Sequence, residues 1–293
     1  MVKVKAHAKI NLFLEVTGRR PDGYHELATL FARIGVSDRL SFRKTAAPGI
    51  RLLVKGGPRE LRRRRDNIVC KAAEGFFNFT GIKPAVEIVL EKNIPVGAGL
   101  GGGSSDAASA LLGLARLYRV PRAASGVLMK IAAGLGSDVP FFMLDTGMAE
   151  GAGRGEKLKV LKPASGSPHI VLVYPGIPVY TKEVYGSLRL GSGPDIAGHL
   201  KDFRKLRDLL KRGGKDPLLS GLLFNRLEES VLPVNKAVRT VKERLLELGA
   251  EAALMSGSGA SVFGLCRSRA KASRIAAEIR CNRRYTVFLT KFC

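Results

Sequence analysis

Tryptophan is absent from this chain, and its four cysteines, Cys70, Cys266, Cys281 and Cys293, stand far apart with no C-x-x-C pair among them. That spacing excludes a zinc knuckle or a disulfide framework as the organising element and predicts a reducing, cytoplasmic setting. No apolar run approaches the ~18 residues that a membrane-spanning helix needs. The first residues alternate in polarity instead of forming the continuous apolar stretch of a secretory signal. Acidic residues are scarce, 25 against 49 lysines and arginines, which leaves a net charge of +24. A field of that sign attracts phosphates and polyanions. The densest basic run, Arg62 to Arg65, reads as a solvated loop, and no dedicated nucleic-acid partner is expected from it. The motifs give no functional explanation for the full surplus.

Several phosphate-binding signatures are missing too. No G-x-x-x-x-G-K-[ST] string occurs, nor H-R-D, nor D-F-G. Gly97, Gly99 and Gly102 satisfy G-x-G-x-x-G, but the acidic residue that a dinucleotide site places about 20 residues further on is lacking.

What is present is a dense glycine segment, Pro95-Val-Gly-Ala-Gly-Leu-Gly-Gly-Gly-Ser-Ser105, between a strand-like run, Val86 to Leu90, and a helix-like run that begins near Ser105. Glycine admits left-handed backbone and lets N–H groups approach a ligand closely. A following helix start adds unpaired donors and partial positive charge, so the segment predicts a phosphate site. Ser104, Ser105 and Asp106 stand where the helix would take its cap.

The remaining pattern is mixed. Residues 2 to 16 alternate, with Ile10, Leu12 and Leu14 on one face and Lys9 and Asn11 on the other, which predicts a strand with one buried face. Strand is expected again over 26–43. Helices are expected over 68–79, capped by Asp66-Asn67, from the glycine segment to about 119, and from Pro121 to about 134. In the second half, strands are expected at 170–174, 252–255, 261–266 and 285–290, with helices at 198–212, 234–248 and 268–280. The glycine- and lysine-rich stretch 147–163 is the expected boundary region. The reading is α+β, two layers, with one domain over 1–160 and a second over 161–293.

The glycine segment resembles the phosphate loop of the GHMP kinases, P-x-G-x-G-L-G-[GS]-S-S. Leu254-Met-Ser-Gly-Ser-Gly-Ala-Ser-Val-Phe263 is similar to the third motif of that family. Ala8-Lys-Ile-Asn-Leu-Phe-Leu14, Gly18-Arg-Arg-Pro-Asp-Gly-Tyr-His25, Leu135-Gly-Ser-Asp-Val-Pro-Phe-Phe142 and Gly153-Arg-Gly-Glu156 resemble the branch that acts on a cytidine-diphosphate methylerythritol. That branch usually carries proline where this chain has His7.

The resemblance implies an ATP- and Mg2+-dependent phosphotransferase. Its amino-terminal domain would have the ribosomal-protein-S5-like fold, bind ATP and carry the catalytic residues; its carboxy-terminal domain would be ferredoxin-like. Asp138 would take the acceptor hydroxyl's proton, Lys9 would lie beside that hydroxyl, and Asn11 would hold the substrate or the lysine. Pro95, Gly97, Gly99, Leu100, Gly101, Gly102, Gly103, Ser104 and Ser105 would cradle the nucleotide phosphates, with Asn67 on the adenine side. Tyr24 and His25 would read the cytidine, with Tyr185 on its other face and Thr181 lining the pocket. On local sequence alone, Asp138 and Asn67 fit helix capping and Ser256 to Gly259 fit a tight hairpin. The metal ligands are not assigned. A homoserine- or mevalonate-type kinase, or a basic RNA-binding protein, is the alternative, and the chain is expected to be a monomer or homodimer without membrane association.

Overall fold

The computed structural model describes residues 1–63, 66–163, 168–213 and 217–293. Arg64 and Arg65 of the basic run lie outside the described residues. Two compact units interleave along the chain. One holds Met1–Ala8, Val36–Val96 and Gly101–Asp145; the other holds Lys9–Gly35, Gly97–Leu100 and Thr146–Cys293. Two long strands, β1 (Val2–Arg19) and β2 (His25–Lys44), pass from one unit into the other.

In the first unit, β3 (Gly49–Lys55) runs parallel to β4 (Ala85–Glu91), and β4 pairs antiparallel with the second half of β2, Leu40 opposite Leu90. Helix α1 (Ile68–Thr80) begins where the sequence predicts: the Asn67 side chain accepts from the Val69 amide at 2.9 Å. It ends at Gly81 in the left-handed conformation, the usual glycine stop. Helix α2 (Gly102–Tyr118) packs on α1 and on the short α4 (Val139–Met143), and α3 (Ser125–Leu135) packs on all three. Pro121 opens a short turn of 3-10 helix, so α3 starts four residues later than expected. A Cβ on Gly113 of α2 would lie 2.2 Å from the buried Phe42 ring; glycine lets this helix lie flat on β2.

From Thr146 onward the second unit continues with a hairpin, β5 (Met148–Ala152) and β6 (Lys157–Leu161), with β5 paired to β2. The stretch read as a boundary region therefore carries two strands. Next come β7 (His169–Tyr174), α5 (Thr181–Gly186), α6 (Gly193–Arg212), β8 (Phe224–Asn225), α7 (Glu228–Val231) and α8 (Lys236–Glu247). The unit closes with β9 (Ala252–Met255), β10 (Val262–Cys266), α9 (Arg269–Arg280) and β11 (Thr286–Lys291). Strands β11, β7, β10 and β9 lie side by side in that order, all antiparallel. With α8 and α9 this is β-α-β-β-α-β, the ferredoxin-like arrangement that the resemblance implies. Val238, Val241 and Leu245 form the buried stripe of α8, and Gly249 follows it at φ 93°. Residues 33–35 of β2 meet residues 290–293: Ile34 bridges Phe292, and the Cys293 amide donates to the Arg33 carbonyl at 3.1 Å.

One expectation fails on β1. The alternation predicts a single buried face, yet every residue from Ala8 to Val16 is buried. The face carrying Lys9, Asn11, Phe13 and Glu15 is covered as well. Phe203 of α6 and Phe224 of β8 pack on Phe13 at 5.1 and 5.6 Å between ring centroids. Glu15, fully buried, accepts from Arg226 Nε at Oε1 and from Nη2 at Oε2, each at 2.8 Å, and His199 of α6 pairs with the same Oε2 at 2.6 Å. Amphipathic alternation reports polarity, and here the polar side chains are partnered inside.

Removing one partner of a buried pair strands the other charge, at a cost of about 3–5 kcal/mol. Arg226→Ala should therefore lower unfolding stability by about that much, whereas Arg207→Ala, at a more exposed pair, should cost under about 1 kcal/mol. Urea unfolding of both variants measures the difference; equal, small losses would disprove the assignment.

Candidate functional site

The glycine segment folds as a loop with alternate left-handed residues, Gly97, Gly99 and Gly101 at φ 67°, 73° and 66°. Gly99 is the most constrained: a Cβ there would lie 2.0 Å from the Ser256 carbonyl oxygen. Leu100 is buried, and its carbonyl accepts from the Lys9 amide at 3.0 Å. The carbonyls of Gly97 and Ala98 are held by the amides of Val179 and Ser261.

Helix α2 starts earlier than the sequence suggests. Gly101, left-handed, stands at the cap position, without a side-chain cap, and the first helical bond runs from the Ser105 amide to the Gly101 carbonyl at 2.9 Å. Ser104, Ser105 and Asp106 are thus inside the helix and do not cap it. A left-handed glycine supplied the turn that a polar cap would otherwise make. The amides of Gly102, Gly103 and Ser104 precede that first bond, at the positive end of the helix dipole. Ser104 is half-buried and Ser105 fully buried, so the accessible hydroxyl is that of Ser104. Pro95 leads into the loop from Ile94, whose amide donates to Asp38 at 2.8 Å.

A buried charge cluster anchors the start of this helix. Lys92 bonds both Asp38 and Asp106, the latter at 2.7 Å, and all three side chains are almost entirely buried. Asp38 also accepts from the amides of Asn93 and Ile94. Burial alone would lower the Lys92 pKa, but the two carboxylates raise it above the ordinary value. Asp106 is pushed up to about 8, by burial first, against the pull of Lys92 and with the charge of Asp38 adding to the rise. Its second oxygen, Oδ1, has no hydrogen-bond partner. A Cβ on Gly102 would meet Ile94 at 2.9 Å and the Lys92 ammonium at 3.4 Å, so the cluster sits directly under the loop's helical end.

In the other unit, the Lys9 ammonium donates to Asn11 Oδ1 at 2.8 Å, and the Asn11 amide donates to Thr29 Oγ1 at 2.8 Å. Thr29 in turn donates to the Phe13 carbonyl at 2.7 Å. This relay fixes the orientation of the Asn11 amide and places the ammonium. The Ser256–Gly259 turn joins β9 to β10 beside it. Ser256 Oγ donates to the Gly99 carbonyl at 3.0 Å, and a Cβ on Gly257 would lie 3.2 Å from Lys9 Nζ. The turn thus closes a hairpin and also touches the lysine and the glycine loop. Thr181 meets Ser258 of the same turn, hydroxyl to hydroxyl, at 2.8 Å.

Tyr24 and His25 sit where β2 begins. Tyr24 is 55% exposed, with the Arg154 guanidinium 4.8 Å from its ring centre. His25 and Tyr185 are neighbours, their rings 5.1 Å apart and tilted by 33°. Burial, and secondarily the charge of Arg19, lowers the His25 pKa, so its ring stays neutral at neutral pH. Arg20 ties this turn together through Asp22 and Glu26, and Glu26 also accepts from the Gly153 amide at 3.1 Å.

Asp138 occupies the position before α4, half-buried, and its side chain does not cap that helix. Asn67 does cap α1, and its amide nitrogen donates to the Leu61 carbonyl at 2.7 Å. Lys92, Asp38 and Arg154 were not singled out by sequence reasoning. Arg154 stands inside a quoted motif, whereas Asp38 and Lys92 lie 54 positions apart in sequence and only the fold joins them. Among the described residues, no group of three or more His, Cys, Asp or Glu side chains could hold a metal ion, and no helix is long and apolar enough to cross a membrane.

Comparison with known proteins gives one consistent picture. The family described as GHMP kinases N terminal domain matches residues 67–146, and that described as GHMP kinases C terminal matches residues 198–284. The 4-diphosphocytidyl-2-C-methyl-D-erythritol kinase of Pelotomaculum thermopropionicum is 41% identical over 280 residues, 96% of this chain and 94% of that protein. The enzyme of the same name from Desulfitobacterium hafniense is 40% identical over 99% of this chain and 95% of its own length. A crystal structure of 4-(cytidine 5'-diphospho)-2C-methyl-D-erythritol kinase superposes with a TM-score of 0.79 at 37% identity and covers 99% of both chains. Homoserine kinase from Cytophaga hutchinsonii reaches the same TM-score at 19% identity, covering 98% of this chain and 93% of its own; that likeness speaks to the fold alone. Together they bear out the two-domain α+β fold expected from the motifs.

A carboxyl whose pKa is higher folded than unfolded contributes stability below the unfolded value of about 3.9 and loses it as pH rises through the folded value, about 8. Asp106→Asn should thus gain on wild type steadily from pH 5 to pH 8.5 in denaturant unfolding. A difference independent of pH would refute the elevated pKa.

Proposed function

Because the chain belongs to the 4-diphosphocytidyl-2-C-methyl-D-erythritol kinase family of the GHMP kinases, we propose that it transfers the γ-phosphoryl group of ATP to the 2-hydroxyl of 4-diphosphocytidyl-2-C-methyl-D-erythritol, a step in non-mevalonate isoprenoid synthesis. The observation that carries this reading is the Lys9–Asn11–Thr29 relay, buried between β1 and β2 within a chain about 40% identical to these enzymes along nearly its whole length.

Phosphoryl transfer asks the protein for positioning and charge stabilisation more than for covalent chemistry. The amides of Gly102, Gly103 and Ser104 and the left-handed glycines before them receive the nucleotide phosphates, and Asn67 supports the adenine side by fixing the start of α1. The acceptor oxygen attacks the γ-phosphorus, the bond to the β–γ bridging oxygen breaks, and ADP leaves. Asp138 takes the hydroxyl proton as the oxygen attacks. Lys9 stabilises charge on the moving phosphoryl group, and Asn11 keeps the ammonium in place. Tyr24 stacks on the cytosine, a contact worth about 1–3 kcal/mol. His25, held neutral, hydrogen-bonds the base edge, and Tyr185 and Thr181 complete the pocket.

When bound, Mg2+ would supply positive charge against the nucleotide phosphates. Mg2+ dehydrates reluctantly and is held mainly by substrate oxygens and water with one or two side chains; the Ser104 hydroxyl and the Asp138 carboxylate would be those side chains. Residues 1–160 would form the ATP-binding domain and 161–293 the carboxy-terminal domain of a cytoplasmic monomer or homodimer.

Magnesium-dependent ADP release, assayed separately with the cytidyl substrate, homoserine and mevalonate, should appear with the cytidyl substrate alone. Asp138→Asn should lower kcat by about a hundredfold to ten-thousandfold, the range for a lost proton acceptor. Turnover with homoserine or mevalonate instead would discard the cytidine reading of Tyr24 and His25. The KM for the cytidyl substrate should stay flat from pH 8 to below 6.5 and rise only at more acidic pH, since the His25 pKa is lowered.

A further inference from the structure

Strand β8 is two residues long, Phe224 and Asn225, and lies parallel to β1 with Asn225 in register with Leu14. The Arg226 amide closes the pairing by donating to the Leu14 carbonyl at 2.8 Å. This short strand delivers the Asn225 side chain, 2% exposed, to the underside of the Ser256–Gly259 turn. Its amide nitrogen donates to the carbonyl of Met255, the last residue of β9, and to that of Gly257 in the turn, each at 2.8 Å. Its oxygen accepts from the Leu227 amide at 3.0 Å. Two donors and an acceptor on so short a stem are found only in asparagine: aspartate offers no donor when ionised, serine and threonine offer one, and glutamine is longer.

The two carbonyls flank Ser256. Holding both fixes the Met255–Ser256 and Gly257–Ser258 peptides, the first entering Ser256 and the second following Gly257. One consequence is the bond from Ser256 Oγ to the Gly99 carbonyl. Another is the approach of Gly257, where a Cβ would stand 3.2 Å from Lys9 Nζ and 3.4 Å from Asn11 Oδ1. Glu228 steadies the same turn from the side: it accepts from the Met255 amide at 2.8 Å and is itself paired with Lys242.

We infer that Asn225 is a positioning residue for phosphoryl transfer: it holds the Ser256–Gly259 turn in the one orientation that seats the Lys9 ammonium and the Gly99 carbonyl. It acts through the turn and touches neither substrate. The inference rests on the phosphotransferase reading for its kinetic arm only.

The test compares wild type, Asn225→Ala and Asn225→Asp. ADP release should show kcat lower by about tenfold to a hundredfold, the scale of a small misplacement, with KM for both substrates within about threefold of wild type. In Asn225→Asp the deficit should shrink as pH falls from 9 to 6, because a protonated carboxyl regains one donor. A second readout needs no turnover. The rate of Lys9 acylation by an amine-reactive ester, read by peptide mass spectrometry, should rise severalfold in Asn225→Ala while that of the equally buried Lys92 stays constant. Lys9 and Lys92 rising together would mean a general loosening and overturn the inference. So would kcat within twofold of wild type, or failure of both variants to fold, which would make Asn225 a requirement of the core. Wild type without turnover, but with Lys9 labelling changed as expected in Asn225→Ala, would discard the activity and leave the positioning intact.

Discussion

A strand buried on both faces that carries a lysine, an asparagine and a glutamate on one of them has to satisfy those groups within the protein. That constraint organises the second unit. Glu15 is answered by the fork of Arg226, and Arg226 follows Asn225 in the short strand laid along β1. Lys9 is answered by Asn11, which is answered by Thr29. The ion pair thus docks the strand that reaches the Ser256–Gly259 turn, while the neutral relay seats the ammonium that the turn approaches. Unpaired buried charges are costly, so the polar side chains of β1 act as register marks: a slip by one residue would break both sets of bonds.

The glycine loop shows the same economy in backbone form. A loop that turns its amides toward a ligand turns carbonyls elsewhere, and those carbonyls also need partners. Here the Gly97, Ala98, Gly99 and Leu100 carbonyls are taken by Val179, Ser261, Ser256 and Lys9. The loop is thus stapled through its carbonyls by elements distant in sequence. On the helical side, the Asp38–Lys92–Asp106 cluster holds the start of α2.

Much of this was legible before any coordinates. Period-two and helical spacing placed β1, β2, α1, α2, α8 and the strands of the ferredoxin-like sheet, because each has a buried stripe and flanking glycines or caps. The cap at Asn67 was readable from its residue type. Three things were not. The serines after the glycine loop look like caps, but Gly101 can take a left-handed turn that no propensity scale weighs against them. Lys9 and Asn11 looked solvent-facing because alternation cannot report a second covering layer. Asp38, Lys92 and Asn225 act by meeting partners far away in the chain, and their immediate neighbours carry no sign of it. The roles of Asp138, Tyr24 and His25 came from resemblance to known motifs rather than from periodicity.

The interleaving of the two compact units bears on how the chain is made. Residues 33–35 of β2 leave the ribosome long before residues 290–293, which they meet. Until residues 290–293 emerge, this segment of β2 lacks those neighbours. The first unit can gather its helices once residue 145 has emerged, whereas the second cannot finish until β11 arrives. Vectorial translation therefore gives the nascent chain a long interval in which a strand edge is open, the state in which chaperone binding and aggregation compete.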